Sequence, residues 1–248
     1  MARAVTGAPY SAEEVSEQVQ TLADGTHITR NSLPTKIYRD SLGRTRTERP
    51  LFRGMVIAAS NPEAPIVVEI TDPVAQVRYT LDTINKVAHR QQLPLAPDRA
   101  NRITARSQTG TGGATGSIGA VAGGWGAGTG TISSSQVPAI ERPEHITEKL
   151  GTQTIEGVLV EGTRTTTTFP TGARGNDRPI STVNETWMSP DLKVMILLKS
   201  TDPQSGEHTQ KLTNISRAEP SADLFQPPPE YSVVDEAAGF TIKWGTQP

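Results

Sequence analysis

Apolar and polar residues alternate with a period of two along most of this chain, in short runs broken by turn-forming residues. "PTKIYRD" and "RTRTER" flank "SLG", "GMVIAAS" and "PIVVEI" flank "NPEA", and "AQVRYTLD" and "KVAHRQ" flank "TIN". Each pair reads as a hairpin, with Gly43 available for a positive φ in the first. After a long uncharged segment come "QTIEGVLVEGTRTTTTF", "PISTVNETWM", "LKVMILLK" and "EHTQKLTNI". The four threonines at 165–168 are β-branched, which favours extended backbone. Nothing in this order has a strand–helix–strand rhythm, so a mostly antiparallel meander follows.

The start is less uniform. In "YSAEEVSEQVQTLADGTHITR", Ser11 followed by Glu14 matches a capping box and predicts at least a helical turn. Val15, Val19, Leu22 and Ile28 are too sparse for a helical stripe. The segment therefore reads as a strand reaching Leu22, a turn at Asp24-Gly25, and a strand over 26–30. Near the end, "PSADLFQPPPEYSVV" predicts a short helical turn at Ala222–Phe225, a proline-stiffened stretch and a last strand.

One strand stands out. Over 192–199, Leu192, Val194, Ile196 and Leu198 share one face, while Met195 and Leu197 lie on the other between Lys193 and Lys199. A strand with one wet face does not carry this pattern. It predicts a core on one side and a helix, loop, second sheet or ligand on the other. "EHTQKLTNI" alternates more evenly and reads as half exposed. "YRDSLGRTRTERPLFR" has polar residues on both faces, which predicts an exposed hairpin arm or an edge guarded by charge.

Composition agrees with strands and turns: aromatics are only 4%, with 22 glycines and 19 prolines. Residues 107–140 hold ten of those glycines and no charge, so little burial is available to offset the entropy of ordering them. They predict a flexible linker or long loop, with Trp125 either docked on the body or serving as a mobile anchor. The chain thus divides into an N-terminal β-hairpin half (1–95), a Gly/Ser-rich loop or linker (96–140) and a C-terminal β half (141–248) completing the same sheet. Residues 1–106 carry 14 Lys/Arg against 11 Asp/Glu, and residues 141–248 carry 10 against 15. With a net charge of −2, nothing suggests nucleic acid as a partner.

Several chemistries lack a signature. There is no cysteine, which removes thiol catalysis, disulfides and thiolate metal sites and suits a protein folding outside the bacterial cytoplasm. His27, His89, His145 and His208 are too scattered for a short metal-ligand spacing. The glycine run has neither G-x-G-x-x-G nor Gly-Lys-Ser/Thr, and no G-x-S-x-G elbow occurs. No catalytic residue, metal site or cofactor is therefore assigned. No run of 18 apolar residues predicts a transmembrane segment, and "MARAVTGAPY" reads as a mature or trimmed start.

"KIYRDSLGRTRTE", "LGTQTIEGVLVEGTRTTTTFP" and "ETWMSPDLKVMILLKSTDPQSGEHTQKLTNI…LFQPPPEY" resemble the hallmarks of an uncharacterised family of exported bacterial proteins. More distantly, the basic hairpin turning through Gly-Arg, the Trp-x-Ser strand and the closing "LF…P…Y" are similar to the LolA/RseB-like periplasmic group. That resemblance implies a curved antiparallel half-barrel whose concave apolar face is covered by helices and binds lipoprotein acyl chains or regulatory partners. This chain departs from it in having no segment that reads as a covering helix.

The combined expectation is a mainly β fold: one large curved antiparallel sheet, half-barrel-like, with little helix and a long Gly-rich loop. The expected function is a non-enzymatic exported binding module, periplasmic or at the cell surface. Trp187, Met195 and Leu197 would line its apolar face, with Tyr38 and Tyr79 behind them. The expected partner is a lipid-like ligand or an envelope protein. Two alternatives are an envelope assembly protein that pairs strand edges, with homo-oligomerisation, and a hydrolase whose site assembles only in the fold.

Overall fold

The structure is a computed structural model that describes residues 4–50, 66–93, 142–237 and 239–242. The glycine segment with Trp125, and the strand expected over "GMVIAAS", lie outside the described residues. The fold is mainly β: one large open curved sheet of thirteen strands. In chain order these are β1 (Tyr10–Thr21), β2 (His27–Asn31), β3 (Thr35–Arg39), β4 (Thr45–Pro50), β5 (Ile66–Asp72), β6 (Val77–Asp82) and β7 (Val87–Gln92). They continue with β8 (Glu144–Ile155), β9 (Val158–Phe169), β10 (Ile180–Ser189), β11 (Val194–Asp202), β12 (Gly206–Ser216) and β13 (Ser232–Asp235). Across the sheet the order is β13-β7-β6-β5-β4-β3-β1-β12-β11-β10-β9-β8, with β2 beside β1.

Turn chemistry explains the meander. Asp72, Asp82 and Asp202 each accept, through Oδ1, the amides two and three residues on, at 2.7–3.2 Å. The residue four positions on, Gln76, Lys86 or Gly206, takes a positive φ and starts the return strand. Ser189 repeats the device, with its Oγ accepting the Leu192 amide and Lys193 in the positive-φ position. Between β8 and β9, Glu156 and Gly157 both have positive φ, as in a two-residue hairpin turn.

β1 joins the two ends of the sequence. One edge pairs with β12 from Ser11↔Ser216 to Val19↔Glu207. Its other edge is shared, with Tyr10–Glu14 on β3 and Glu17–Thr21 on β2. Ser32 closes the gap between them: its Oγ accepts the Ser16 amide at 3.0 Å, and its own amide donates to the Ser16 carbonyl. The helical turn expected from Ser11 and Glu14 does not form. Both residues are in β1, where a strand on either side satisfies the backbone and outweighs the local cap signal.

Two other expectations change. β4 is neither an edge nor an exposed arm, since it lies between β3 and β5. Its charges pair locally instead, Arg46 with Glu48 at 2.6 Å and Arg49 with Glu69 at 2.7 Å. β11 is apolar at consecutive positions because it is bulged: Trp187 pairs with Leu197 and Met188 with Met195, leaving Ile196 as the extra residue. Ile196 and Leu197 therefore enter the same core cluster.

That cluster gathers Tyr10, Ala12, Val158, Val160, Trp187, Leu192, Ile196, Leu197 and Leu212. A second one, Val68, Ile70, Leu81, Ala88 and Phe225, underlies β5–β7. Around the first cluster the sheet coils strongly. β3 and the β10–β11 turn are separated by β1, β12 and β11, a span of at least ~14 Å in a flat sheet at the usual strand spacing. Nevertheless Arg39 donates from Nη2 to the Leu192 carbonyl, and from Nε and Nη2 to the Ala8 carbonyl at 2.9 and 2.7 Å. Its guanidinium lies 4.7 Å from the Tyr10 ring centroid. Lys211 on β12 likewise reaches Glu156 in the β8–β9 turn at 2.5 Å.

Arg39→Lys keeps the charge and loses the planar fork that serves two carbonyls at once. We expect it to cost about 2 kcal/mol, because charge-assisted hydrogen bonds contribute about 1.5–3 kcal/mol and a buried acceptor would lose its partner. Urea denaturation followed by circular dichroism checks this; a loss under about 0.5 kcal/mol would mean that Arg39 does not tie the coil together.

Candidate functional site

After β12 the chain packs a short 3₁₀ turn, Ala222–Phe225, against β4 and β5, where the sequence placed a helical turn. Phe225 is fully buried in the second cluster, and the Arg44 guanidinium lies 5.0 Å from its ring centroid. Arg44 is itself fixed by the buried Asp40 at 2.5 Å. Arg46 caps the turn by donating to the Leu224 carbonyl at 3.0 Å. Three prolines, 227–229, then hold the backbone away from the sheet, because none of them can donate to a ladder.

Beyond Tyr231 the chain returns as β13, which lies parallel to β7 from Ser232↔Val87 to Asp235↔Arg90. A parallel last strand is a departure from the expected antiparallel pattern; the chain returns to β7 only after β12 and the 217–231 segment, which is long enough to permit it. Side chains fasten it. Arg90 grips Asp235 through two hydrogen bonds of 2.5 and 2.7 Å. This contact holds the Asp235 carboxyl below the usual carboxylate range and, with Tyr79 opposite on β6, raises the Arg90 pKa. His89 Nδ1 meets Glu236 Oε1 at 2.8 Å, and its ring stacks on Phe240 at 4.4 Å. Lys86 sits 5.1 Å from the Tyr231 ring centroid.

Between the proline stretch and the β5–β6 hairpin lies a cleft of about 330 Å³. Asp72, Ala75, Val77 and Tyr79 form one wall; Phe225 to Pro229, with Tyr231 and Val233, form the other apart from Glu230. Its lining is aromatic and proline-rich with two polar groups, Asp72 and Gln226. Rings and pyrrolidines of this kind offer rigid apolar surface at little entropic cost, which suits an apolar or extended ligand. Elsewhere, His27 and His145 hydrogen-bond Thr21 and Thr167, each at 3.0 Å. No group of three or more metal-binding side chains occurs among the described residues, and no helix there is long and apolar enough to cross a membrane.

The five residues expected at the site are dispersed. Trp187 and Leu197 face each other across β10 and β11 and are buried in the first cluster. The Trp187 ring covers Gly162 so closely that a Cβ there would stand 2.5 Å from it. Met195 is half-buried beside the bulge. Tyr38 and Tyr79 pack against the second cluster, and Tyr79 lines the cleft. The sequence reading missed Phe225, Tyr231 and Val233 as lining. "PPPEY" marked a rigid excursion, but no local signal says which hairpin it returns to.

No protein-family model and no curated protein sequence matches the chain. Among solved structures, an uncharacterized conserved protein from Thermus thermophilus aligns over 92% of this chain and 91% of its own, at 7% identity and a TM-score of 0.40. Pseudomonas aeruginosa MucB, solved in complex with MucA, aligns over 92% of this chain at 12% identity and a TM-score of 0.37; the alignment spans 58% of the MucB chain. A LolA superfamily protein from Nitrosomonas europaea aligns over 88% of this chain and 90% of its own, at 9% identity and a TM-score of 0.28. These three alignments lie at 7–12% identity and at TM-scores of 0.28–0.40.

Proposed function

We propose that this chain is a non-enzymatic, exported binding module whose ligand enters the cleft between the β5–β6 hairpin and the 225–233 segment. The observation that carries this reading is the cleft itself: Tyr79, Phe225, Tyr231 and three prolines surround an open space of about 330 Å³. Its volume is near the low end of ligand pockets, which suits one acyl-like chain or the apolar side chain of a protein segment better than a large polar substrate.

The test extracts purified protein with organic solvent for mass spectrometry, then titrates lipids, detergents and apolar peptides while following tyrosine fluorescence. Bound lipid in fixed ratio, or saturable binding weakened at least tenfold by Tyr79→Ala, supports the reading. A protein that is reproducibly empty and ignores all these probes overturns it.

An assembly role has its own observation, since β8 and β13 are the outermost strands of an open sheet. Light scattering across concentration separates the two readings, because a strict monomer at high concentration counts against assembly.

A further inference from the structure

We propose that the outer edge of β13, which no strand among the described residues pairs with, is a strand-addition site for an extended segment of a protein partner, one carrying an apolar side chain for the cleft and basic residues around it. This rests on the binding-module reading above and names its ligand class. The Ser232 amide donates to the Lys86 carbonyl at 2.9 Å and the Glu236 amide to the Arg90 carbonyl at 2.8 Å. In a strand, the amide and carbonyl of one residue point the same way, and neighbouring residues alternate. Residues 232, 234 and 236 therefore face β7, and Val233 and Asp235 turn their backbone groups outward.

Among the described residues, the two end strands of the sheet, β8 and β13, are built differently. β8 carries Glu144, Glu148 and Lys149, and a register shift between Lys149 and Gly151 distorts it. Charges and bulges are the usual defences of an edge strand. β13 has neither. Its one charge, Asp235, is drawn back onto Arg90, and Val233 and Val234 are 49% and 43% exposed. Paired backbone groups with apolar side chains to either side are what an added strand requires.

The cleft continues from this edge, because Val233 belongs to both and Tyr231, which also lines the cleft, immediately precedes the strand. An added strand would thus carry a side chain to its mouth. Charge selects the partner. Asp72 lines the cleft and exposed Glu230 adjoins Tyr231, and neither forms an ion pair among the described residues. Arg90 is already engaged by Asp235, and Lys86, 5.1 Å from the Tyr231 ring centroid, offsets one of the two carboxylates. A basic segment complements this mouth, and an acidic one is repelled.

The probe is an array of ten-residue peptides alternating valine with arginine, serine or glutamate around one central phenylalanine. Affinities are read by fluorescence anisotropy and the contact surface by amide NMR. The arginine series should bind at least tenfold tighter than the glutamate series, with Asp72→Asn plus Glu230→Gln removing that preference. N-methylation of the peptide backbone should weaken binding at least tenfold. Val233→Pro removes an outward amide without touching the ladder to β7, and should do the same. Preserved protection of the Ser232 and Glu236 amides shows that β13 is still in place, and Val233→Lys provides a second variant that guards the edge.

Perturbation at Tyr79 and Tyr231 that tolerates both N-methylation and Val233→Pro would leave the binding module standing and overturn strand addition. Perturbation at β8 would overturn the choice of edge. Self-association through the Val233 and Asp235 amides would overturn the partner in favour of a second copy. If no peptide binds, the inference fails, and the lipid measurements then decide the broader reading alone.

Discussion

Gly206→Ala should be among the most damaging single-methyl substitutions in the protein, lowering stability by about 3 kcal/mol or more. Gly206 closes the β11–β12 hairpin at φ +84°, where an L side chain costs about 1–2 kcal/mol. Its surroundings add the rest. A Cβ would stand 2.2 Å from the Val19 carbonyl oxygen and 3.0 Å from Gln20 Cα. Both are backbone atoms of β1, so neither can rotate aside, and the hairpin would have to leave the strand it pairs with. Gly25 supplies the control: its φ is +85° and nothing lies within 4 Å of the added methyl. Gly25→Ala should cost only about 1 kcal/mol, the conformational part alone. Urea midpoints of the two variants decide the matter, and equal losses would show that contact with β1 contributes nothing.

The second large effect centres on Trp187. Trp187→Ala should cost about 3–5 kcal/mol, as for other buried aromatic truncations. Gly162→Ala should cost about 1–3 kcal/mol, because the new methyl meets the indole at 2.5–2.7 Å inside a packed cluster. The two are coupled. Once the indole is gone, the methyl at 162 fills part of the space left behind, so the double variant should be less destabilised than the sum of the single changes. A double-mutant cycle by chemical denaturation reads this directly. Strict additivity would mean that the ring does not lie on Gly162.

The strands were legible because alternation and turn residues are local signals. "DPVAQ", "DTINK" and "DPQSG" each carry the Asp that accepts its own turn amides, and each hairpin formed there. What local pattern could not show was pairing at a distance. Ser11 and Glu14 carry a helical signal that is outweighed by a partner some 200 residues away. The arginines of β4 read as an exposed arm, since neither the flanking strands nor the cross-strand partner of Arg49, Glu69 on β5, can be read from composition. Apolar residues at 196 and 197 read as two faces because a bulge is invisible without the neighbouring strand. The cleft was legible only in part. Tyr79 was singled out as a residue behind the face, but its partners come from a segment that joins it through the crossover to β13.

The pairing of β1 with β12 also sets the order in which this molecule can be completed. β1 comes before every other strand among the described residues, yet the strand that pairs with it from Ser11 to Val19 ends at Ser216. Until then β1 has only β2 and β3, which share a single edge between them. A nascent chain therefore carries an open hydrogen-bonding edge on β1 until β12 has been made. Closing it requires a loop of nearly the entire sequence, the kind of non-local contact that slows folding. The long-range pairing of β1 with β12 thus forms only after ten strands have been laid down between them, which leaves β1 in need of protection until β12 arrives.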